Sequence, residues 1–171
     1  MTPKLRIFSV ALVVSLLIDQ ATKIWIVQSL AYGDRITVIE NFFYITHVRN
    51  PGAAFGLLAS SPETLRLTFF ISVTLVAIAL IISFYRRLAP GDRLSALALG
   101  LILGGAVGNL IDRLVYKEVI DFLHFRLWSG YSWPDFNFAD SFIVVGVALL
   151  ILELLAAEGE QRAEAEQPSL E

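Results

Sequence analysis

Read from the amino terminus, the chain alternates long apolar runs with short polar breaks. Four runs, at 7–30, 65–85, 94–113 and 138–155, are near the roughly 20 mostly apolar residues that a helix needs to cross a bilayer. Each is predicted as a transmembrane helix. The first is interrupted by Asp19 and Lys23, and the second carries Arg66 near its start. The third carries Gly100, Gly104 and Gly108, with Gly105 beside them. Small residues at this spacing let helices approach closely, so helix packing is the expected role of these glycines.

The segments between the runs are not plain linkers. Residues 36–48 (ITVIENFFYITHV) are rich in β-branched and aromatic side chains, which suits short strands, and Asn50-Pro51-Gly52 marks a turn after them. Residues 114–137 hold Phe122, Phe125, Trp128, Tyr131 and Trp133, aromatics that favour a membrane–water interface. A helix lying in that interface is expected around 119–128. The predicted fold class is an all-α membrane protein: four transmembrane helices with a small extracytoplasmic β-rich segment and an interfacial helix. Residues 1–157 form a single domain in this reading. The acidic tail 158–171 carries Glu158, Glu160, Glu164, Glu166 and Glu171 against one Arg162 and is expected to be disordered in the cytoplasm.

Composition agrees. The chain is 56% hydrophobic and 17% charged, against about 25% charged in a soluble domain. There is no cysteine, which excludes disulfides, thiol nucleophiles and cysteine–metal sites. The two histidines, His47 and His124, are too few and scattered for a zinc site; no metal and no cofactor is expected. Lys4 and Arg6 before an apolar stretch also fit a cleaved signal peptide, with Ser29-Leu30-Ala31 as a cleavage site. That tripeptide lies well past the apolar core, with Asp19 and Lys23 between, so the stretch is read as a span. Lys4, Arg6, Arg86, Arg87 and Arg93 put both termini and the second connection in the cytoplasm. Loops 31–64 and 114–137 then face outward, although Arg35, Arg49, Lys117 and Arg126 follow the charge rule imperfectly.

Charged and amide groups inside a membrane are costly and ask for a reason. On a rise of about 1.5 Å per residue, Asp19 lies roughly 20 Å from Arg6, Asn109 roughly 24 Å from Arg93, and Asp140 roughly 20 Å from Glu153. Three helices thus bring polar groups to one depth, toward the outer leaflet of a hydrocarbon core about 30 Å thick. Asp121, just after the third span, reaches the same level. Each residue also has a structural role open to it. Asp19 and Lys23, four apart, form an ion pair on one helix face. Asn109 and Arg113 satisfy loop carbonyls, Asn137 caps the fourth helix, and Asp140 favours that helix's N-terminus. All of them at one depth are harder to explain by packing alone.

Two carboxylates held close share a proton, so that one serves as base toward water and the other as acid toward a scissile carbonyl. Asp121 and Asp140 fit such a pair, but spacing alone does not select them over Asp112 or Asp135. A proton-coupled transporter using Asp19, Lys23 and Asp112 requires a polar path through the membrane, which the apolar inner halves of the spans oppose. A non-catalytic membrane assembly protein requires Asp121 and Asp140 to be dispensable.

Five blocks narrow the choice: Asp19-Gln20-Ala21-Thr22-Lys23, Asn50-Pro51-Gly52-Ala53-Ala54-Phe55-Gly56, Gly108-Asn109-Leu110-Ile111-Asp112-Arg113, Val119-Ile120-Asp121-Phe122 and Phe136-Asn137-Phe138-Ala139-Asp140. In content and order they resemble the signature blocks of lipoprotein signal peptidases (signal peptidase II), and the resemblance extends to about Leu155. It implies an aspartyl endopeptidase of a bacterial inner membrane, with its site toward the outer face. The implied substrate is a prolipoprotein whose cysteine already carries diacylglycerol, cut just before that cysteine. Asp121 and Asp140 match the catalytic dyad. Asp19, Lys23, Asn50, Gly52, Asn109, Arg113, Asn137 and Ala139 match positions that bind substrate or support the site. Further implied partners are membrane lipid and the inhibitor globomycin, and no nucleic acid. Pro51 is expected to vary within the family, and the acidic tail to be a variable extension.

Overall fold

The computed structural model describes residues 1–52, 58 and 60–165. Four long helices carry the fold: α1 (Pro3–Ser29), α2 (Glu63–Arg87), α3 (Arg93–Val115) and α4 (Phe138–Ala165). All four are long and apolar enough to cross a membrane. Pro3 occupies the first turn of α1, where its missing N–H costs nothing, and Thr2 Oγ1 accepts the Leu5 N–H.

Helix α3 is the hub. Helices α1 and α4 pack along it extensively and α2 more sparingly. The glycines explain the close approach. A Cβ at Gly100 would sit 2.6 Å from the Phe8 carbonyl of α1, and one at Gly104 would collide with Ser15. On another side of α3, a Cβ at Gly105 would collide with the Ala139 carbonyl of α4. Outward-facing residues stay apolar, as lipid permits: Val73, Val76, Leu80 and Phe84 on α2, and Val144, Ile151, Leu152 and Leu155 on α4, are exposed.

A three-stranded antiparallel sheet sits at one end of the helices, in the order β1 (Arg35–Ile39), β2 (Phe43–Asn50), β3 (Val119–Phe125). The β1–β2 hairpin turns through Asn41 at φ 59°, a left-handed conformation that asparagine tolerates better than most residues. The sheet seats on α1 through Ile26, Leu30, Ile120 and Phe122, joined by Ile45 and Leu123. Ring contacts run from β2 through Phe43 and Phe125 to Phe136.

Two expectations are corrected. Residues 119–125 are a strand, not part of an interfacial helix; the helical turn here is a short 3-10 segment at Trp128–Gly130. Val119–Phe125 finds the open edge of β2, and that ladder satisfies its backbone as a helix would. The tail is helical farther than expected, because α4 continues through Ala165. Alanine, glutamate, glutamine and arginine are good helix formers and extend α4 beyond the apolar run. The rest of the tail, 166–171, lies outside the described residues, as do Ala53–Phe55 and Gly56 of the second signature block.

Candidate active site

The site forms where the sheet meets the C-terminal halves of α1 and α3 and the start of α4. Pairing sets its first wall. Val48 lies opposite Asp121 and Asn50 opposite Val119, so Asn50 sits diagonally from Asp121 on the ladder. Asn50 Nδ2 donates to Asp121 Oδ2 at 3.0 Å, and Asn50 Oδ1 accepts the Gly52 N–H at 3.0 Å.

The start of α4 sets the second wall. Asn137 Oδ1 accepts the Asp140 N–H at 2.9 Å, and Asp140 Oδ2 accepts the Asn137 N–H at 3.3 Å. This reciprocal pair is a capping box, with aspartate in the place that glutamate usually takes. Asn137 does more than cap, because its Nδ2 donates to Asp121 Oδ1 at 2.7 Å. One buried amide therefore touches both aspartates. The structural roles read from sequence for Asn137 and Asp140 hold, and the same contacts assemble the site.

Beneath lies a buried polar network. Lys23 Nζ contacts Asp19 at 2.9 Å and Asp112 at 2.7 Å, and donates to Asn109 Oδ1 at 2.9 Å. Asn109 Nδ2 in turn donates to Asp140 Oδ1 at 2.8 Å. Asp19 Oδ1 accepts the Ala139 N–H at 2.9 Å, satisfying a free donor of α4 from a different helix. Arg113 donates to the carbonyls of Asn109 and Gly52 and lies over the Phe70 ring. All ten residues singled out from sequence converge on this region. The sequence reading did not give Asp112 and Gln20 their place in it. Asp112 is fully buried, also accepts the Ile120 N–H, and joins Gln20, whose amide touches Asp19 and Asp112. Both residues stand inside the quoted motifs, which was the available signal.

Asp121 and Asp140 open on one cavity of about 630 Å³, a size suited to a ligand segment. Asn50, Gly52, Asn109 and Arg113 line its polar side; Ile143, Val144 and Val145 of α4 give it an apolar flank. Burial, and then the negative charge of Asp140, push the Asp121 carboxyl up to about 7, against weaker opposition from Asn50, Asn137 and Lys23. A carboxyl in that state can hold a proton at neutral pH beside a second carboxylate.

The chain is similar to known proteins over most of its length. A family model described as signal peptidase (SPase) II matches residues 11–156. A lipoprotein signal peptidase from Geobacter metallireducens is 50% identical over 161 residues, 94% of this chain and 98% of its own. One from Bacillus subtilis is 43% identical over 146 residues, 85% of this chain and 91% of its own. A solved bacterial membrane enzyme, 33% identical, superposes with a TM-score of 0.78 over 94% of this chain and 91% of that one. The chain is a multi-pass membrane peptidase and belongs to the signal peptidase II family.

Proposed function

We propose that this peptidase removes the signal peptide from prolipoproteins, cutting just before a diacylglyceryl cysteine, with Asp121 and Asp140 as its catalytic pair. The observation that carries the reading is that two neighbouring asparagines hold the two carboxyls at the wall of one cavity, Asn137 Nδ2 donating to Asp121 and Asn109 Nδ2 to Asp140. Asp121 holds the shared proton. Asp140 takes a proton from water as the water oxygen attacks the scissile carbonyl, while Asp121 gives its proton to the carbonyl oxygen. The gem-diol collapses when Asp140 returns its proton to the leaving amine and a diol hydroxyl returns one to Asp121. The C–N bond breaks, and both carboxyls end as they began.

The remaining residues support this pair. Asn109 and Asn137 hold the two carboxyls, Asn50 fixes Asp121, and Arg113 ties Gly52 to α3. Lys23 with Asp19, and Ala139 on Asp19, fix α1 to the start of α4. The apolar flank at Ile143–Val145 suits acyl chains, and globomycin is expected to compete for the same cavity. The site end faces outward from a bacterial inner membrane, with both termini cytoplasmic. Supporting this, Arg86, Arg87 and Arg93 cluster at the opposite end, where Lys4 Nζ donates to the Leu88 carbonyl at 2.6 Å.

The test is cleavage of purified diacylglyceryl prolipoprotein in matched detergent by wild type, Asp121→Asn and Asp140→Asn, with an unmodified substrate beside it. Wild type should cleave the lipidated form much faster, and each variant should be inactive yet folded. An amide keeps the shape but lacks the proton chemistry. Near-normal turnover by either variant would overturn the assignment.

A further inference from the structure

The loop before α4 contributes a third carboxylate to the cavity. Trp133, Pro134, Asp135 and Phe136 all line it. The loop is strapped to β3, with Trp133 N–H on the Phe125 carbonyl at 2.8 Å and Leu123 N–H on the Phe136 carbonyl at 2.8 Å. Asp135 is fixed as well. Its Oδ1 accepts from Thr46 Oγ1 at 2.9 Å and lies 3.1 Å from His124 Nδ1. Asp135 Oδ2 accepts no hydrogen bond among the described residues. A carboxylate pinned through one oxygen, with the other unclaimed at a cavity wall, is prepared to receive a donor from whatever fills the cavity.

Position along the chain says which part of a substrate it meets. Asp140 lies about 3 Å and Val144 about 9 Å along α4 from Phe138, at about 1.5 Å per residue, both going into the membrane. Asp135 precedes Phe138, on the sheet side. A substrate whose lipid and signal segment lie along the apolar flank crosses the aspartate pair at the scissile bond. It then leaves past Asp135, so the first residues after the lipidated cysteine are those nearest to it.

With Asp121 protonated, the cavity's charged groups are Asp140 and Asp135 against Arg113, and Arg113 is engaged by the carbonyls of Asn109 and Gly52. We infer that Asp135 is a specificity residue: it favours a cationic or N–H-rich side chain just after the lipidated cysteine and disfavours an acidic one. This rests on the aspartyl reading of the site and adds to it a preference on the released mature chain.

The experiment uses two lipidated peptides, identical except for Lys or Glu directly after the cysteine, with the full-length protein in detergent at low ionic strength. Wild type should show kcat/KM about five- to tenfold higher for the Lys peptide, an interaction of ordinary size for a partly screened pair. Added salt should narrow the gap. Asp135→Asn keeps the Oδ1 acceptor for Thr46 and His124, and should shrink the ratio at least threefold. Asp135→Lys should bring it below one. Comparing ratios cancels any difference in how the peptides enter micelles. Equal rates in wild type, or a ratio that Asp135→Asn leaves unchanged, would overturn the inference while leaving the aspartyl reading intact. Failure of wild type to cleave either peptide would overturn both.

Discussion

Asn137 donates to Asp121 Oδ1 at 2.7 Å with the same side chain that caps α4. Cap and site are therefore separable by choice of substitution. Asn137→Ala should lose about 1 kcal/mol of stability as a cap and about 100-fold in kcat as Asp121 drifts. Asn137→Ser should recover the stability, since serine caps well, but not the rate, being too short to reach Asp121. Thermal unfolding and turnover on one preparation check this; a serine variant that regains activity would show that capping alone matters.

Asp121 sets a pH dependence. Its carboxyl is pushed from 3.8 up to about 7, first by burial and second by Asp140. The proton needed for acid catalysis is present below about 7 and lost above it, so kcat/KM should fall on the alkaline side of an apparent pKa near 7. Stability follows the same sign. Between 3.8 and about 7 the folded chain keeps a proton that the unfolded chain releases. The contribution of Asp121 is therefore whole below 3.8 and gone once pH has risen through about 7. Asp140→Asn should lower the Asp121 pKa, read from the infrared carboxyl band. A pKa that stays put or rises would discount the charge coupling.

The Lys23 network predicts an order of stabilities. Lys23→Met leaves Asp19 and Asp112 buried without their cation, a loss of about 3–5 kcal/mol. Asp19→Asn should cost less, because Lys23 keeps Asp112 at 2.7 Å and the amide oxygen still accepts the Ala139 N–H. Melting temperatures in detergent should run wild type, Asp19→Asn, Lys23→Met, from high to low. The reverse order of the two variants would mean that Asp112 does not hold the cation.

Gly108 tests the helix contact directly. A Cβ there collides with Asp19 Oδ2 and lies 3.6 Å from Ala139 Cβ. Gly108→Ala should lower stability by about 1–3 kcal/mol. It should also reduce activity, because Asp19 loosens its hold on Ala139. Gly91→Ala, where a Cβ meets nothing within 4 Å, serves as the neutral comparison. Equal behaviour of the two variants would contradict the packing.

Much of this protein was legible in its residues. Apolar run length gives the four helices, since the bilayer imposes one thickness on every span. Helical rise brought Asp19, Asn109 and Asp140 to one depth, and the five blocks marked Asp121 beside them. These are properties of a window of chain, readable without neighbours. Other features depend on partners far away in sequence. Val119–Phe125 is rich in β-branched and aromatic residues, but composition names no partner, and it is the open edge of β2 that makes it a strand. Asp112 reads as one more acid near a helix end until the close approach of α1 and α3 puts Lys23 on it. Nothing near Asp135 in the chain distinguishes it from other loop carboxyls; Thr46 and His124 do, and they arrive from two different strands. Hydropathy and period fix which segments are buried in lipid. Which side chains meet there depends on the helix spacing that the glycines permit and the register of the sheet, and only the folded chain supplies both.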